Sequence, residues 1–153
     1  LPPAACPRIT ILADGADLTR FAPERGQDLT AVVVDARIQG LNARCDYGRR
    51  GRTVEVALTV TFEVERGPAA RGTVALPWFV AVTSADDERL IERRPFETGV
   101  AFPANVNRTR VAAAPVRMTF PIGEGRQVTD YNVRVSFLLT EPELAYNRRR
   151  GPR

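Results

Sequence analysis

A chain of 153 residues, 44% of them hydrophobic, is long enough to close one core of its own. No apolar run approaches the ~18–20 residues that carry a helix across a bilayer. The formal net charge is +4 and all 22 basic residues are arginine, so with neither lysine nor histidine the sequence excludes Ser-His-Asp and Cys-His catalysis, imidazole metal ligation, Schiff-base chemistry and the P-loop lysine.

In chain order, a short strand is expected near Arg8 to Leu12, followed by a helical turn around Ala16 to Phe21 that pairs Leu18 with Phe21. Val32, Val34, Ala36 and Ile38 alternate before Gly40 and predict a strand, and Cys45 stands in a strand or its exit. Arg49, Arg50 and Arg52 surround Gly51 in a hairpin-type loop. The strongest alternation runs from Arg52 to Arg66, with Val54, Val56, Leu58, Val60, Phe62 and Val64 on one face and Glu55, Glu63 and Glu65 on the other. A turn at Arg66 to Ala69 leads to Val74, Leu76, Trp78, Val80 and Val82 on one face of the next strand.

Weaker strands are expected at Arg89 to Glu97 and Arg108 to Ala113, and clearer ones at Val116 to Ile122 and Tyr131 to Leu139. Thr140 and Glu143 match a capping box with Pro142 in the first turn, so a short helix begins there, and Arg148 to Arg150 complement its negative end. Seven or eight short strands with turn signals between them predict an all-β, immunoglobulin-like two-sheet antiparallel sandwich with a short C-terminal helical turn. One domain spans residues 1–153, with a tether at 1–7 and a basic tail at 147–153.

Three readings of the two cysteines compete. Cys6 and Cys45 can form a disulfide that places the protein in an oxidising compartment; Cys6 can be the acylated residue of a lipoprotein signal; or both can be structural thiols. The disulfide is preferred, because Pro3 sits where a lipoprotein cleavage site wants an aliphatic residue. An exported chain would have had its targeting segment removed or would carry it upstream of Leu1, and a lipid-bearing Cys upstream is compatible with the Pro-rich start.

Among candidate sites, Arg148, Arg149, Arg150 and Arg153 account for the net positive charge and can dock on an acidic partner, against the alternative of a solvated helix end. Phe79 points opposite to Trp78 and can be a partner contact. The arginine loop can stack on nucleic acid, but a solvated turn explains it as well, and no nucleic-acid partner is expected. Asp86, Asp87 and Glu88 are adjacent on one loop, where acids rarely converge on one calcium ion, so no metal and no cofactor are expected. Glu55, Glu63 and Glu65 resemble a glycosidase pair only because alternation puts them on one face.

Several stretches together resemble a family of uncharacterised alphaproteobacterial cell-envelope proteins, often exported as lipoproteins. They are Cys6-Pro7 followed by Ile11 to Asp14, Leu18 to Phe21, the Asp28 to Ile38 strand with Cys45 after it, Glu65 to Ala69, Phe79 to Val82, and Leu138 to Arg149. The resemblance implies a periplasmic or outer-membrane location and carries over no catalytic residue. The reading is therefore a non-catalytic envelope interaction module, an accessory subunit or adaptor of a larger assembly. The alternative is a sandwich that binds a small ligand or polysaccharide through Tyr47, Tyr131 or Phe79; a carboxylate hydrolase ranks last.

Overall fold

A computed structural model describes residues 2–23 and 25–153. Nine strands and one helix follow in order: β1 (Arg8–Ile11), β2 (Asp17–Phe21), β3 (Val32–Gly48), β4 (Thr53–Arg66), β5 (Val74–Ser84), β6 (Leu90–Val100), β7 (Arg108–Ala112), β8 (Val116–Pro121), β9 (Tyr131–Phe137) and α1 (Glu141–Arg150). One sheet has the order β1-β9-β5-β6; the other runs β2-β3-β4, with β7 and β8 both pairing with the far edge of β4. All pairs are antiparallel except β1 with β9. This is the expected immunoglobulin-like all-β sandwich with a short C-terminal helix.

The sheets face each other through their alternating apolar positions. Val54, Val56, Leu58, Val60, Phe62 and Val64 of β4 are fully buried against Leu76, Trp78, Val80, Val133, Val135 and Phe137. Aromatic rings fill the centre: Phe62 lies 5.5 Å edge-on to Trp78 and 5.5 Å from Phe137, and Trp78 stacks on Phe96 at 4.7 Å. The buried indole N–H donates to Thr98 Oγ1 at 2.9 Å, which removes the cost of burying an unpaired donor. Two arginines bridge the layers: Arg20 Nη1 donates to the Ala75 carbonyl at 3.3 Å and Arg94 Nη2 to the Arg117 carbonyl at 2.8 Å.

The expected helical turn at Ala16 to Phe21 is not found. Asp17–Phe21 is strand β2, in register with β3 through Leu18 opposite Ala36 and Thr19 opposite Asp35. A spacing of three between Leu18 and Phe21 fits one helical turn, but pairing with β3 supplies backbone partners and buries Leu18 completely. Only Ala13–Gly15, just upstream, forms a single 3-10 turn.

The alternation before Gly40 belongs to a longer strand: β3 continues through Cys45 to Gly48 across a bulge between Ile38 and Gly40. The extra residue inverts the phase, so even-numbered residues face inward before it (Val34, Ala36, Ile38) and odd-numbered ones after it (Leu41, Ala43, Cys45, Tyr47). That inversion turns Cys45 toward the opposite sheet, where it forms a disulfide with Cys6, the Cα atoms 5.4 Å apart. The bridge ties the segment before β1, at the edge of one sheet, to β3 in the other. Leu1, the first residue of the expected tether, lies outside the described residues.

Candidate functional site

Phe79 and Arg148, far apart in sequence, line one groove of about 530 Å³ on the outer side of the β1-β9-β5-β6 sheet. Phe79 faces outward because Trp78 and Val80 on either side of it face the core. Leu12 extends β1 by donating its N–H to the Val135 carbonyl at 3.0 Å, and the 3-10 turn closes with Gly15 N–H on the Leu12 carbonyl at 3.0 Å. Gly15 packs directly on the buried Ser136: a Cβ at this position would fall 1.7 Å from Ser136 Oγ, so the turn can lie this close to β9 only with glycine.

The opposite wall is α1. After β9, the Leu138 N–H still donates to the Pro77 carbonyl at 2.9 Å, and Thr140 then starts the helix through a complete capping box with Glu143. Asn147 Nδ2 donates to the carbonyls of Asp14 (3.1 Å) and Asp17 (2.7 Å), fastening the helix to the turn. The groove between turn and helix is lined by Leu12, Phe79, Leu138, Leu139 and Leu144, and stands open to solvent along one side. Leu12 and Leu138 remain 38% and 40% exposed there.

Two guanidinium groups belong to this groove. Arg93 lies over the Phe79 ring with Cζ 4.4 Å from the centroid, a cation-π contact. Arg148 Nε reaches Asp14 Oδ2 at 3.1 Å, with both side chains more than half exposed. No family model, curated protein or solved structure matches the chain.

The other expected arginines lie elsewhere. Arg150 pairs with Asp17 at 3.3 Å, Arg153 pairs with Asp17 at 3.4 Å and also with Asp35, and Arg149 donates to Gln27 Oε1 at 2.7 Å. Far from extending into solvent as a free tail, residues 147–150 complete α1 and its arginines are turned back onto the body. A second concavity of about 500 Å³ opens beside them, with Tyr146, Leu29, Pro68 and Arg66 in its walls. Tyr47 and Tyr131 are half-buried against the core; Tyr131 also borders an open concavity of about 400 Å³ with Ser84, Asp86 and Arg126, and its Oη donates to the Pro121 carbonyl at 3.1 Å.

The carboxylates divide among separate partners. Asp87 accepts from Thr83 Oγ1 (2.6 Å), Asn132 Nδ2 (3.2 Å) and Arg134 Nη2 (2.6 Å); the Arg134 hydrogen bond leads in lowering its pKa to about 2. Asp86 is turned instead to Ser84 Oγ at 2.5 Å and the Glu88 N–H at 3.0 Å, which lower its pKa too. Among the described residues no group of three or more Cys, Asp or Glu is placed to hold a metal ion. Glu55 accepts from Thr119 (2.5 Å) and Thr53 (2.9 Å), which push its pKa down, opposite to the direction a general acid needs. Glu65 is engaged by Arg108 at 2.5 Å, and Glu63 stands between Arg37 and Arg110 in the strand register.

The sequence pointed to Phe79 and Arg148 and missed Leu12, Leu138, Leu144 and Arg93. One signal was present: Leu138-Leu139 places two large apolar residues consecutively, and where backbone is extended one of them must face away from the core.

Proposed function

We propose that the chain is an exported, non-catalytic interaction module of the cell envelope, an accessory subunit or adaptor that docks a protein partner in the groove beneath Phe79. The observation that carries this reading is the groove itself: lined mainly by apolar side chains, with Arg93 and Arg148 among them, and open to solvent. An open groove leaves a small ligand half wet, whereas small-molecule sites bury most of their ligand. A protein segment brings its own body as the missing wall, and aromatic side chains and arginine are the residue types enriched where partners dock. The disulfide is compatible with an oxidising, exported location. The resemblance to envelope proteins supports the periplasm or outer membrane as its address.

The test is site-specific photo-crosslinking in the native host. A photoreactive residue at Phe79 and another at Leu138 are expected to yield one and the same protein adduct, while the same residue at the exposed Arg44, on the outer face of the other sheet, yields none. Adducts that are absent at Phe79 and Leu138, or identical at all three positions, overturn the assignment.

A further inference from the structure

Resting on the docking reading above, we infer that the groove selects a partner peptide carrying a carboxylate beside aliphatic side chains, and that Asp14 holds the place of that carboxylate on Arg148 in the free protein. The charges at the groove are unequal: Arg93 and Arg148 contribute two guanidinium groups, and Asp14 contributes one carboxylate. Among the described residues no carboxylate lies within ion-pair distance of Arg93, whose cation is held instead over the Phe79 ring. The ring supplies no oxygen acceptor, so the guanidinium N–H donors of Arg93 remain to meet one.

The Asp14–Arg148 pair is suited to exchange. It is exposed on both sides, at 62% and 59%, so its net worth is small and solvent already competes with it. Asp14 stays in place without it, because its carbonyl is held independently by Asn147 Nδ2. A partner carboxylate entering between apolar contacts would be better shielded from water than Asp14 is, and charge-assisted hydrogen bonds strengthen as water is excluded. The floor made by Phe79 and Leu138 supplies that shielding only when aliphatic groups of the same partner cover it.

Two synthetic 15-residue helical peptides test this, identical except that a Glu flanking two leucines at i and i+4 is replaced by Gln. Titration followed by amide shifts of Phe79, Leu138 and Leu144 is expected to show the Glu peptide binding about tenfold tighter. Arg93→Gln with Arg148→Gln, checked by thermal melting to be folded, is expected to erase the difference. Asp14→Asn, which keeps the backbone carbonyl, is expected to tighten the Glu peptide about threefold and leave the Gln peptide unchanged. Equal binding of the two peptides, or a weakening by Asp14→Asn, overturns the selectivity while leaving the docking reading standing. If neither peptide moves the groove amides, both fail. Dodecanoate binding the groove more tightly than the Glu peptide would overturn the peptide assignment in favour of a lipid anion.

Discussion

The interior of the sandwich and the C-terminal helix are attached to the same molecule by different physics. Between the sheets, Trp78, Phe62, Phe137 and the valines of β4 and β9 are buried completely, and what holds them is the apolar area removed from water. In α1 the buried residues are Glu143 and Asn147, both polar. Glu143 pairs with Arg20 at 3.1 Å while capping its own helix, Asn147 grips two carbonyls, and Arg148, Arg150 and Arg153 reach Asp14, Asp17 and Asp35. The one aromatic contact that joins the helix to β2 is Tyr146 edge-on to Phe21 at 5.2 Å. A burial-held core is not weakened by charge screening and gives a single cooperative unit; a helix held by ion pairs and hydrogen bonds can loosen while the core stays closed.

The largest break in this comparison comes from the core. Trp78→Ala removes the side chain at the centre of the aromatic cluster and leaves Thr98 without its donor, so a loss of about 3–5 kcal/mol is expected in urea unfolding of the whole domain. Removing the cystine by Cys6→Ser with Cys45→Ser comes next. Its chemical separation of 39 residues corresponds to about 4 kcal/mol in the chain-entropy picture, and a loss of about 2–4 kcal/mol is expected by the same measurement. A loss near zero would mean that the segment before β1 gains comparable freedom in the folded protein, so that β1–β9 pairing alone does not fix it.

Asn147→Ala probes the other region. It leaves the carbonyls of Asp14 and Asp17 without their side-chain donor, and about 1–2 kcal/mol of local stability is expected to go. The readout is hydrogen exchange: amides of α1 and of Ala13 to Asp17 should speed up while those of β4 and β5 keep their rates, and raising the salt concentration should act in the same direction on the wild-type helix. If β4 and β5 accelerate together with α1, the helix is part of the cooperative core and the contrast drawn above is wrong.

How far the sequence discloses the two regions follows from the same difference. Period-two runs such as Val54 to Val64 and Val74 to Val82 are local records of burial, so the strands and the face of Phe79 could be read directly, as could the Thr140–Glu143 capping box. The Ile38–Gly40 bulge was hidden because one inserted residue shifts the alternation without ending it. β2 was hidden because five residues with apolar positions three apart satisfy a helical turn as well as a strand, and only pairing with β3 decides. The acidic partners of Arg148 and Arg153 stand 134 and 118 residues away, and a run of arginines carries no local mark of what neutralises it.

The smallest effect concerns the loop between β5 and β6, where an ion pair serves the sandwich rather than the helix. Asp87 has a folded-state pKa of about 2, below the ordinary 3.8, because Arg134, Thr83 and Asn132 all donate to its ionised form. The folded state therefore binds its proton less readily than the unfolded chain. The stabilisation is complete above the ordinary value and is lost as pH falls from about 3.8 toward 2. Amides of Ser84 to Glu88 should lose protection relative to their intrinsic exchange rates across that interval, ahead of the strands, since Asn132 also holds the Ser84 and Ala85 carbonyls and Arg134 also reaches Thr10. Asp87→Asn should abolish the acid-dependent step while keeping neutral hydrogen bonds to Thr83 and Asn132. A loop that loosens with the same midpoint in that variant would assign the transition to another carboxylate, with Asp86 and its own lowered pKa the next group to replace.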